Sequence, residues 1–140
     1  MQGLIVRIAL VADAAEEAKA RVIAERFIGK AGRPWAFRSC TPYEKSGPHS
    51  RLTYVLALPE ELDGQAVIDA VETIAAVAVR PEGLEKGYLN GFLTEDGSLF
   101  YNRIFDARVD PVKIRGLLWL DIEVETHPDA QASLRESLDG

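Results

Sequence analysis

Residues Leu4–Val11 are apolar on both alternating sets: Leu4, Val6, Ile8 and Leu10 on one, Ile5, Ala9 and Val11 on the other. Only Arg7 interrupts the run. A strand of this kind offers an apolar row to each side of a sheet and is read as buried on both faces. Leu117–Glu125 also alternates, but differently. Leu118, Leu120, Ile122 and Val124 take one face, and Trp119, Asp121, Glu123 and Glu125 take the other. With 140 residues, the chain has enough length for one domain with a true core, spanning 1–140.

Between these two strands the periodicity changes several times. Asp13 has the character of a helix N-cap, with Glu16 at the N3 position of a capping box. The helix that follows runs to about Gly29, with Ala20, Ile23, Ala24 and Phe27 as its apolar stripe. Glu17–Arg21 and Arg21–Glu25 are i,i+4 pairs on its wet side. Trp35–Tyr43 has strand character, and Pro42 inside it marks an edge or an early end. Glu44–Ser50 reads as a loop and Arg51–Leu58 as a clear strand. Asp63 caps a second helix to about Val79, with stripe Val67, Ala70, Val71, Ile74 and Ala78, and Pro81 ends it.

The second half is mostly strand. Tyr88–Leu93 and Ser98–Phe105 flank Thr94-Glu95-Asp96-Gly97, a hairpin signal. Arg108–Gly116 is an irregular connection with one helical turn expected from Pro111, and Asp129–Leu138 is expected to form a short terminal helix. The order predicts an α+β two-layer sandwich: a mainly antiparallel sheet with a split β-α-β start, two helices on one face, and an extra C-terminal hairpin and strand. Val6, Ile8, Leu10, Ile23, Phe27, Leu56, Leu58, Val71, Ile74, Leu120 and Ile122 are the expected core.

Charge is distributed unevenly. Residues 1–60 carry 9 Lys/Arg against 6 Asp/Glu, and residues 61–140 carry 7 against 16, so a net of +3 faces a net of −9. The overall −6 argues against general binding to nucleic acid or to an anionic membrane. The apolar run at the N-terminus is a poor signal segment and too short to span a bilayer, and a single cysteine does not suggest a stapled secreted scaffold. The cytoplasm is the expected location.

No catalytic, cofactor, metal or phosphate-loop motif is visible. Cys40 has Arg38 two residues before it and no histidine nearby in sequence, which reads as a small core filler. His49 and His127 fall in expected loops beside Pro48 and Pro128, without paired ligands. Asp121, Glu123 and Glu125 share a strand face but are spaced too widely to chelate a cation unaided. Arg26, Lys30, Arg33, Arg38, Lys45 and Arg51 are interleaved with Trp35, Phe37 and Tyr43. That composition would suit a single-stranded nucleic acid or a phosphorylated ligand, or else a solvated edge paired with its own carboxylates.

The row Trp119, Asp121, Glu123, Glu125 is the candidate partner surface: three carboxylates beside an indole, suited to a basic protein, with an ordinary solvated face as the alternative. Trp119, Tyr88, Tyr101 and Phe92 are expected where the sheet lacks helix cover, to form a dimer interface, line a ligand pocket or anchor a partner. In general profile (small, single-domain, acidic) the chain resembles bacterial immunity proteins, although no motif carries the likeness. That profile implies an inhibitor occluding a basic toxin domain. A ligand-binding or sensor domain and a small enzyme with a dimer-assembled site are the alternatives.

Overall fold

The computed structural model describes residues 4–32, 34–43, 47–58, 63–93 and 99–125. Its elements are β1 (Leu4–Ala12), α1 (Glu17–Lys30), β2 (Ala36–Tyr43), β3 (His49–Leu58), α2 (Gly64–Ala78), α3 (Pro81–Lys86), β4 (Tyr88–Leu93), β5 (Leu99–Asp106) and β6 (Leu117–Glu125). The six strands form one sheet in the order β2-β3-β1-β6-β5-β4, every neighbouring pair antiparallel. This is the α+β sandwich that the element order predicts.

The doubly apolar β1 lies inside the sheet, between β3 and β6. Its register stacks three apolar rows: Leu56–Val6–Val124, Tyr54–Ile8–Ile122 and Leu52–Leu10–Leu120. These rows form the floor on which the helices lie. α1 packs on β1 and β3, α2 packs on β5, and the two helices touch. Ala20, Ala24, Phe27 and Ile28 face inward from α1, and Val67, Val71, Ile74, Ala75 and Ala78 from α2. Every expected core residue is buried except Ile23, which is partly buried against the core.

Several local expectations are corrected. Asp13 does not cap α1: the helix starts at Glu17 with Glu16 at the N-cap and no side-chain cap. The Asp13 amide instead donates to the Gly116 carbonyl at 2.8 Å, which ties the end of β1 to the β6 entrance. Asp63 does cap α2, accepting from the Ala66 amide at 2.8 Å. Pro81 follows the end of α2 as expected, and it also opens α3 as that helix's first residue, where its missing N–H costs nothing. The turn expected at Pro111 is replaced by strand-like pairing. Val79 bridges Val112, and the Arg80 and Lys113 amides donate to Pro111 and Ala78 carbonyls. His49 begins β3 opposite Tyr43 rather than lying in a loop. The Asp96-Gly97 turn and the terminal helix at 129–138 lie outside the described residues.

Candidate functional site

Both long helices cover the same side of the sheet, and among the described residues no helix lies on the other side. Its centre is apolar: Ile5, Ala9, Val11 and Val55 are each at most 6% exposed. Arg7, Asp121 and Glu123 lie over this centre on the same face. Arg7 Nη2 donates to Glu123 Oε2 at 2.7 Å, and Asn102 Nδ2 donates to Asp121 Oδ1 at 2.5 Å and to the Ile122 carbonyl at 3.0 Å. Two carboxylates of the predicted row are therefore already engaged within the sheet. Burial pushes the Asp121 carboxyl up from its ordinary value and Glu123 adds to this, while the Asn102 hydrogen bond opposes it. The side chain of Glu125 and all of His127 lie outside the described residues.

Trp119 stands at one end of this face, where the sheet surface dips into a recess of about 490 Å³. Its walls include Val11, Tyr43, His49, Leu118 and Trp119, with Asp13, Asp106 and Arg108 at hand. The sequence separates these residues widely, and the strand order brings them together. Tyr43 and His49 come from the β2–β3 hairpin, Asp106 from the end of β5, Arg108 from the turn just beyond it, and Trp119 from the start of β6. His49 Nε2 lies 3.2 Å from Asp13 Oδ1. Arg108 donates to Asp106 through its side chain, at 2.6 Å from Nη2, and through its backbone amide at 2.9 Å. Those two kinds of hydrogen bond hold the Asp106 carboxyl below its ordinary range.

The recess pairs aromatic walls with two carboxylates, a geometry that suits recognition. Among the described residues, neither serine nor cysteine lines the recess beside the His49–Asp13 pair. Cys40 lies elsewhere, on β2 opposite Leu52, half-buried. Burial pushes its thiol up, partly offset by Ser50, which is the reverse of what an activated nucleophile needs. The basic stretch read from Arg26 to Arg51 is dispersed: Arg26 and Lys30 are on α1, Arg38 on β2, and Arg51 on the uncovered face of β3. Arg33 and Lys45 lie outside the described residues. Among the described residues no three His, Cys, Asp or Glu side chains gather as a metal site requires, and no helix is long and apolar enough to cross a membrane.

Tyr101 was expected on the uncovered face and lies on the helix side instead. Its register partner Val124 shares the parity of Ile122 and Leu120. There its hydroxyl donates to Glu72 on α2, and Arg103 donates to both Glu72 oxygens, to the Leu84 carbonyl of α3 and, at 3.1 Å, to the Tyr88 carbonyl. Arg103 also stacks 4.8 Å from the Phe105 ring centroid. With a side chain only 4% exposed, Arg103 is a buried cation, and sequence reasoning missed it. One signal was present: Arg103 falls on the same parity as Leu99, Tyr101 and Phe105. Of the expected aromatics, Tyr88 is half exposed on edge strand β4.

Compared with protein-family models, with curated proteins and with solved structures, the chain matches none.

Proposed function

We propose that the chain is a non-enzymatic, acidic binding module that uses the Trp119 end of the sheet face opposite its long helices to cover a basic surface of a partner protein, in the manner of an immunity-type inhibitor of a toxin domain. The observation that carries this reading is the aromatic, carboxylate-edged recess at one end of the sheet face opposite the long helices. The recess beside Trp119 gives a partner an anchoring pocket, while the apolar centre of the face, at most 6% exposed, stays within the fold. The net charge of −6 steers a basic partner toward it.

Because Asp121 and Glu123 already accept hydrogen bonds, their part in this reading is to shape the face as well as to charge it. Neutralising them as Asp121→Asn and Glu123→Gln keeps an acceptor for Asn102 and Arg7 while removing charge. These variants should slow association and flatten its salt dependence. Trp119→Ala should chiefly speed dissociation, by about 2 kcal/mol or more if the indole is a hot spot. The test uses the basic protein encoded beside this chain's gene, with binding kinetics and thermal melts on each variant. A Trp119→Ala protein that loses stability yet binds normally, alongside neutralised variants that associate at the wild-type rate, would overturn the reading. So would a homodimer that buries this face in the free protein.

A second reading is favoured by the recess itself. Its volume of about 490 Å³ falls within the range of small-ligand sites. A small molecule that protects Trp119 fluorescence from quenching without any partner protein would support it.

A further inference from the structure

The outer surface of α1 carries a second concavity, of about 430 Å³, lined by Asp13, Lys19, Val22, Ile23, Arg26 and Arg115 together with neighbouring backbone. Lys19, Val22, Ile23 and Arg26 are spaced i, i+3, i+4, i+7, so they lie along one side of the helix. Arg115 arrives from the other chain segment. The Gly116 backbone is pressed against Ile23: a Cβ on Gly116 would sit 2.9 Å from Ile23 Cδ1. Gly116 also has φ +88, so glycine is required there on two counts, and the close approach sets Arg115 beside the helix.

Three cations thus line one concavity, and among the described residues none of them enters an ion pair. This holds in a chain with 22 acidic residues. The other cations that face carboxylates are taken up: Arg7 by Glu123, Arg21 by Glu25, Arg103 by Glu72 and Arg108 by Asp106. Asp13, the one carboxylate at the rim, lies 3.2 Å from His49 on the recess side. Like charges held around a concave, partly apolar surface raise the local potential and attract a multivalent anion. Val22 is 55% exposed and Ile23 partly buried, so the floor between the cations is apolar.

We propose that this concavity binds a small phosphate-bearing ligand with an apolar or aromatic portion. Arg26 and Arg115 would hold phosphate oxygens through paired N–H donors, with Lys19 a point charge and the apolar portion resting on Val22 and Ile23. The site is independent of the sheet-face reading.

Two probes test it, inorganic pyrophosphate and ATP, titrated into the full chain at low salt and followed by amide chemical shifts. Both should give saturable shifts at Lys19–Arg26 and at Arg115–Gly116, with ATP the tighter because only it covers Val22. Changing Lys19, Arg26 and Arg115 together to Gln should weaken binding at least tenfold while leaving the melting temperature in place, since none of the three is ion-paired among the described residues. The single variant Val22→Ser should reduce ATP affinity and spare pyrophosphate. No saturable shift with either probe, or undiminished affinity in the triple variant, would overturn the proposal. Saturable binding of an acidic peptide with neither phosphate probe binding would overturn it in favour of a protein ligand.

Discussion

At the scale of single residues, Asp121 shows how the sheet can alter a carboxylate. It lies opposite Ala9 on the sheet face away from the long helices, and burial raises its pKa above the ordinary 3.8 while Asn102 partly opposes the shift. A raised folded pKa means that the folded state holds the proton more firmly than the unfolded chain. The associated stabilisation is present below 3.8 and is lost as pH rises through the folded value. Asp121→Asn should therefore increase stability to urea at neutral pH, and the gain should disappear near about pH 3. Asp106 has the opposite sign. Its carboxyl is held low by Arg108, so its contribution is present at neutral pH and fades on acidification. Ile74 represents the apolar interior at 2% exposure. Ile74→Ala should cost about 2–5 kcal/mol in urea unfolding, since it removes buried methyl and methylene groups from the core.

At the scale of elements, most of what fixes a helix or strand here is local, and the exceptions have identifiable causes. Asp63 caps α2 through a side-chain oxygen, so Asp63→Ala should cost about 1 kcal/mol by thermal or urea unfolding. Asp13 offers the same residue type before a helix, yet its amide is drawn to Gly116 and its carboxylate to His49, and α1 starts without a side-chain cap. α3 escapes a periodicity reading because it is only 6 residues long and begins at the proline that follows α2. What fastens α2, α3, β4 and β5 together is Arg103, with Glu72, Leu84 and Tyr88 as acceptors. Glu72→Ala would leave that cation buried without its counter-charge and should cost about 3 kcal/mol. Glu72→Gln should cost less, because an acceptor remains. The Tyr101 hydroxyl, whose pKa is pushed up to about 12 by burial and by Glu72, stays a donor to this pair throughout the neutral range.

At the scale of the whole molecule, the strand order governs how far a local change spreads. β1 is hydrogen-bonded on both sides, whereas β2 and β4 are edges. Ile8→Ala removes atoms from the row Tyr54–Ile8–Ile122 beneath the helices and should cost about 4 kcal/mol. Cys40→Ala, half-buried on edge strand β2, should cost about 1 kcal/mol or less. Unfolding the two variants side by side in urea measures the difference, and equal losses would mean that the order of strands does not set the distribution of stability. The same order gathers the recess: hairpin β2–β3 and the β5–β6 connection approach each other across the end of β1.

The sequence by itself determined the strands, the two long helices, the antiparallel α+β class and nearly all of the core, because period and apolar parity are local properties of the chain. It placed Trp119 on the face opposite Leu118 and Leu120 for the same reason. Tertiary structure alone decided what the polar groups do. Only the register sets Glu123 against Arg7 and brings Asp121 diagonally within reach of Asn102, which turns an apparent acidic row into engaged groups. Only the strand order brings Asp13 to His49 and seats Trp119 with Tyr43 around one recess. Arg103 illustrates the division. Its parity is written in the sequence, but the carboxylate that makes its burial tolerable stands 31 residues away on a different element. Burial follows from local pattern, whereas charge compensation depends on which distant groups the fold brings within hydrogen-bonding distance.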